Sequence, residues 1–283
     1  MKDLIIDLVS SPTPLATVAE QKNLSLRSAV YMQVAHYLRR SRKVLTSPTQ
    51  YKLLKGQKEF GYATVGLNLA PATEAYFLTR VNMCPSASKG CLATCLRHSG
   101  QNIFTQGKIA RIARTVLWLE FRPEFLAIVG AEVRRWRRWS KARGLQLAFR
   151  ANLLSDSAEL AQSVQDEVYN DDTFAGDEAL PFYDYTANEV DMYLEDGITR
   201  VFSRKEDNED AVMRVLGHGL PVSVVFGSND LPSQWRGYDV IDGDEHDLRF
   251  IDANGPVVIG LRVKGARSET KQRAIASGFA VAA

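Results

Sequence analysis

The chain has 283 residues with 35 basic and 33 acidic side chains, a formal charge of +2, and 45% hydrophobic residues. That length and composition specify a folded protein with a sizeable core and exclude a mainly disordered chain. The near balance of charge excludes a general polyanion-binding surface, so contact with nucleic acid would need local clustering.

The start, MKDLIIDLVSSPTP, has a short apolar run broken by Asp7 and two prolines. It reads as neither a secretory signal nor a membrane span, and no later apolar run is long enough for one, so the expected setting is cytoplasmic and reducing, with no membrane partner. Residues 24–46 place Leu26, Val30, Val34 and Tyr37 at helical spacing ahead of Arg39, Arg40, Arg42 and Lys43. They predict an amphipathic helix within an N-terminal helical appendage over residues 1–50, and residues 51–283 read as one domain. In GYATVGLNLAP, residues 61–71, Val65, Leu67 and Leu69 alternate as in a strand, and Pro71 ends the run. A cysteine-bearing loop follows directly. Helices are predicted over 107–121 and 123–143, divided at Pro123. LQLAFRAN, PFYDYT, ITRVFSR, PVSVVFG and VVIGLRVKG then read as strands, with helices from about Ser157, near 188–195 and over 207–217. About six strands alternating with helices predict an α/β fold: a partial (β/α)6 barrel first, a doubly wound sheet second.

All three cysteines, Cys84, Cys91 and Cys95, fall in the loop after the first of these strands, spaced C-x6-C-x3-C, with His98 just beyond. Clustered thiols in a reducing compartment point to metal or redox chemistry more than to a disulfide framework. Two centres suit the set: an iron–sulfur cluster held by three cysteines with one open iron, or a zinc ion closed by His98 as Cys3His. The plain structural alternative is three small buried side chains near a turn. A loop leaving the C-terminal end of a barrel strand sits at the mouth, where such folds build their sites, and that position favours the cluster.

Polar residues at other strand ends would converge on the same mouth and could hold a small ligand: Asn68, Asn152, Ser155, Asp156, Tyr185, Ser203, Arg204 and Lys264. Ser155 and Asp156 can equally cap the helix that follows. Lys264 would offer one positive charge to a carboxylate or phosphate. The run GDEHDLRF brings Asp244, Glu245, His246, Asp247 and Arg249 into one loop. It reads as a second metal site or an acid–base pair centred on His246, or as a turn held by an Asp247–Arg249 bridge. In RRWRRWSKAR, residues 134–143, six basic side chains interleave with Trp136 and Trp139. Together with the basic end of the first helix this could engage nucleic acid or a host protein, or it is an outer helix with its tryptophans facing the sheet.

The cysteine loop at a barrel mouth resembles the radical S-adenosylmethionine enzymes. That resemblance implies a [4Fe-4S] cluster on Cys84, Cys91 and Cys95, with S-adenosylmethionine on the open iron. The sequence departs from that pattern in its wider cysteine spacing, in Thr94 where an aromatic precedes the last cysteine, and in FRANLLSD where a glycine-rich element follows the second strand. A wider set of segments, KEFGYATVGLNLAPA, CPSASKGCLATC, FRANLLSDSAE, FYDYT, VFSRKEDN, VVFG and VIDGDEHDLRFIDANGPVVIGLRVKG, resembles a bacteriophage family named for a mycobacteriophage gene product eighty-eight. It spans from about Lys58 to about Gly278 and leaves the N-terminal 50 residues outside. It implies a phage origin and action in the cytoplasm of the infected host, and supplies no reaction.

Overall fold

The computed structural model describes residues 1–11, 24–54, 57–98, 100–170, 180–252, 255–263 and 268–281. The strands are β1 (Leu45–Thr46), β2 (Tyr62–Leu67), β3 (Gln146–Arg150), β4 (Phe182–Thr186), β5 (Thr199–Ser203), β6 (Val222–Phe226), β7 (Gln234–Trp235), β8 (Tyr238–Asp242) and β9 (Val258–Arg262). The helices are α1 (Lys2–Ser10), α2 (Leu26–Arg40), α3 (Tyr51–Leu54), α4 (Gln57–Phe60), α5 (Tyr76–Thr79), α6 (Lys89–Thr94), α7 (Thr105–Glu120), α8 (Arg122–Lys141), α9 (Ala158–Tyr169), α10 (Glu209–Gly217), α11 (Arg249–Asp252) and α12 (Ser268–Ala276). The segment expected as a helix near 188–195 is a 3-10 turn, Glu189–Tyr193.

Helix starts follow local chemistry. Ser25 caps α2 through the Ser28 amide and Ser157 caps α9 through the Leu160 amide. Pro123 sits in the first turn of α8, where its missing N–H costs no helix bond, so the division expected there becomes a helix start. The nine strands form one mixed sheet in the order β1-β2-β3-β4-β5-β6-β9-β8-β7. Strands β2 to β6, then β9 and β8, are parallel neighbours, and antiparallel β1 and β7 form the two open edges. From β2 to β6 the order is sequential, without the reversal that a doubly wound sheet needs.

Alternation assigns the two faces. Ala63, Val65 and Leu67 of β2 and Phe149 and Phe182 of its neighbours lie in the main core with Ile112 and Val116 of α7, Phe125 and Val129 of α8, and Val164 of α9. Farther along the sheet, Phe202, Val222, Val224 and Val258 pack with Val212, Val215 and Leu216 of α10. The other face carries Tyr62, Ala148 and Tyr183, covered by Phe60, Leu248, Phe250 and Ile251. The polar run GDEHDLRF therefore leads into a plug lying against the sheet, and fully buried Arg249 is part of it.

The segment expected as an appendage shares this core. Ile5, Val30, Val34 and Tyr37 are in the main cluster, and β1 pairs with β2. Buried Glu132 of α8 accepts the amides of Lys43, Val44 and Leu45 at 2.5, 2.9 and 2.7 Å, which ties this segment to the helical layer. Among the described residues, no helix is long and apolar enough to cross a membrane.

Candidate functional site

The cysteine loop runs from the end of β2 across the C-terminal ends of the parallel strands and docks on the residues after β5. Glu206 accepts the Ser88 hydroxyl at 2.8 Å and the Gly90 amide at 2.7 Å, while Ser88 itself caps α6 through the Cys91 amide. Lys205, buried at 7% exposure, donates to the Ser86 carbonyl. A Cβ at Gly90 would stand 2.6 Å from the Glu206 carboxylate, so a larger residue here would displace that side chain. Below the loop, the Asp156 amide donates to the Met83 carbonyl at 2.8 Å, and the Cys84 thiol accepts the Ala72 amide at 3.2 Å.

The three thiols share one electrostatic neighbourhood. Burial pushes Cys84 up to about 12; the Ala72 amide pulls the other way, and Asp156, Cys95 and Cys91 add to the rise. Burial also lifts Cys91 to about 11, with Cys95 adding to the rise and Lys205 opposing it. Cys95 is raised by burial, against the Arg97 backbone and charge. All three are therefore neutral thiols near pH 7 and would repel one another as thiolates. Among the described residues, no three His, Cys, Asp or Glu side chains stand ready-made as a cage for a metal ion. His98 is exposed, and its Nε2 lies 3.0 Å from the Arg97 Nε–H that donates to it. Burial, then Arg97, lowers its pKa.

Of the other residues expected at the mouth, Asp156 is the one brought to the cysteines. Its carboxylate accepts the Ala187 amide at 2.9 Å, and burial raises it. Asn152 is buried and committed elsewhere: its amide donates to Asp184 at 2.5 Å and to the Ser157 carbonyl at 3.1 Å, and its Oδ1 accepts the Ser155 hydroxyl at 2.7 Å. Tyr185 lies with its ring under Arg150, 4.6 Å from the guanidinium carbon, and burial raises its phenol. Ser203 ends β5 opposite Ser223. Arg204 points to the chain's C-terminal segment, donating to the Gly278 and Phe279 carbonyls. Asn68 lines a separate cavity beside β1. Lys264 lies outside the described residues. Lys205 and Glu206, the two residues that hold the loop, directly follow Ser203 and Arg204; their signal was two opposite charges immediately beyond an apolar strand.

The GDEHDLRF run separates into different partnerships. Asp247 accepts from buried Arg150 on both carboxylate oxygens, at 2.8 and 2.6 Å, while Arg249 pairs with Asp252 at 2.8 Å; the expected Asp247–Arg249 bridge is not how the charges are matched. The reason is reach: Arg150 points from β3 into the same covered face. His246 packs tilted against the Phe60 ring, centroids 4.6 Å apart, and faces Asp252 at 3.4 Å, and Asp244 accepts from the Arg262 backbone and side chain. On α8, Trp136 and Trp139 pack against the main core, with Arg135 and Arg143 over their rings at 4.8 and 4.2 Å.

A family model described as Gene product 88 matches residues 38–282. No curated protein and no solved structure matches the chain.

Proposed function

The chain belongs to the Gene product 88 family of phage proteins, and from that premise we propose that it is an iron–sulfur protein whose cluster is held by Cys84, Cys91 and Cys95 at the strand ends. One observation carries the reading: the chain's only cysteines share a single electrostatic neighbourhood, on a loop docked to the end of β5. The donor set fits such a group. Burial and mutual repulsion oppose three thiolates, and a cationic iron centre reverses both effects. Cys91 lies within α6 and Cys95 is its C-cap, on a loop anchored by Glu206. A bound cluster would supply one-electron chemistry and an iron with a free coordination position.

The same reading takes the sheet as a partial (β/α)6 barrel, and the sequential parallel order from β2 to β6 supports it. Thr94, in place of the aromatic of the radical S-adenosylmethionine enzymes, donates its hydroxyl to the Gly90 carbonyl at 2.8 Å within α6. Its commitment there supports cluster binding without that cofactor's adenine contact.

Single Cys84→Ser, Cys91→Ser and Cys95→Ser variants, purified anaerobically, should each lose most of their iron, while His98→Ala keeps it. Full iron retention in any of the three serine variants refutes the ligand set. Loss of metal from His98→Ala, with zinc in the wild type, establishes a Cys3His zinc site instead.

A further inference from the structure

We propose that the surface formed by the C-terminal end of α2 and the second half of α8 binds the phosphate backbone of duplex nucleic acid without reading its sequence. The two stretches, YLRRSRK at 37–43 and VRRWRRWSKAR at 133–143, hold ten basic side chains and no acidic one. In a chain whose formal charge is only +2, that is a local concentration of positive charge, which is what a phosphate backbone recognises.

The fold joins the two stretches across 89 positions of sequence. Glu132 of α8 accepts the Lys43 amide at 2.5 Å and pairs with Arg135, in the next turn, at 3.5 Å, so the end of α2 lies beside the basic half of α8. The Glu132 side chain is only 4% exposed and also accepts the amides of Val44 and Leu45, so its negative charge is withdrawn from the surface that it organises. Arg40, Arg42, Lys43, Arg135, Arg138 and Lys141 are exposed. Among the described residues, Arg135 is the one of these six that makes an ion pair. Like charges crowded in this way repel one another, and a polyanion relieves the repulsion.

The same surface argues against other partners. Among the described residues, no large apolar side chain of either stretch is exposed, so the patch lacks the apolar centre that a protein partner would bury. Trp136 and Trp139 pack against the main core, stand edge to face with each other at 5.5 Å, and carry Arg135 and Arg143 over their rings. They are thereby withheld from stacking on bases, the contact that single strands require. What remains is an array of guanidinium and ammonium groups, suited to the closely spaced phosphates of a duplex.

Fluorescence anisotropy of the full chain with short labelled DNA duplexes of two unrelated sequences tests this. Both should bind alike, with a dissociation constant of about 1–100 μM at physiological salt. With about four cations on phosphates, affinity should fall about 150-fold as salt rises from ~50 to ~200 mM. Arg42→Gln and Arg138→Gln, one from each stretch, should each lower the salt slope by about one, and the double variant by about two. Arg236→Gln, an exposed cation between β7 and β8 at the other edge of the sheet, should leave the slope unchanged. A short RNA duplex under the same conditions identifies which duplex is the ligand, and saturable binding of either with that slope supports the site. Absence of saturable binding to both duplexes overturns it. So does an unchanged slope in either Arg42→Gln or Arg138→Gln, an equal loss in Arg236→Gln, or a single strand or polyglutamate that binds as tightly as the duplex.

Discussion

Asp184 shows how one buried group sets a pH dependence. Burial pushes its carboxyl up to about 7 from an ordinary 3.8, against the pull of Asn152 and Arg150. Between those values the folded chain holds a proton that the unfolded chain has released. The contribution to stability is therefore full below about pH 4 and is lost as pH rises through about 7. Compared with Asp184→Asn, the wild type should lose relative stability across that window and run parallel above it; curves parallel throughout contradict the assignment. Arg150 and Asp247 make a different prediction. Removing one partner of a buried pair leaves an uncompensated charge, so Asp247→Ala should cost ~3–5 kcal/mol by chemical denaturation. The paired replacement Arg150→Met with Asp247→Leu should recover most of that loss. These partners were hidden in the sequence because they lie about a hundred positions apart, and the spacing of GDEHDLRF suggested a local bridge instead. The nearness of Cys84, Cys91 and Cys95 to one another was legible because they are close in sequence, whereas the use of Asn152 by Asp184 depends on strand register.

At the scale of elements, the contact between α6 and the end of β5 holds the cysteine loop in place. Gly90→Ala would drive a methyl group into the Glu206 carboxylate, and Glu206→Ala would free both Ser88 and the Gly90 amide. Each variant should keep the helical and sheet signature of the wild type by circular dichroism while losing iron faster to a chelator. Unchanged release rates in both variants would show that the loop is held by other contacts. Six of the seven longer strands were readable because alternating apolar and β-branched residues demand a half-buried pleat, and β8 (Tyr238–Asp242) was missed. The two-residue strands β1 and β7 carry no such signal and exist through pairing with β2 and β8. The same holds for the plug: a run rich in charge reads as surface until Arg150 from β3 meets it.

For the molecule as a whole, the N-terminal helices are structural members of the fold. Ile5, Val30 and Val34 are fully buried, and all lie in residues 1–37, before the family match begins. Each buried aliphatic side chain contributes ~1.5–3 kcal/mol, and a domain's net stability is only ~5–15 kcal/mol. A chain starting at residue 38 should therefore fail to melt cooperatively; one that melts at the wild-type temperature would establish the first 37 residues as a dispensable appendage. The sequence suggested an appendage because the basic end of α2 resembles a free helix, and its apolar stripe does not reveal what it packs on.

The central claim is that the strand-end thiols hold an iron–sulfur cluster, and anaerobic purification followed by metal and acid-labile sulfide analysis tests it most directly. The account predicts a brown protein with iron and sulfide in equal amounts, about four of each per chain, as three cysteines and one open iron require. A colourless protein with stoichiometric zinc, or one that takes up neither iron nor sulfide on reconstitution, would contradict it.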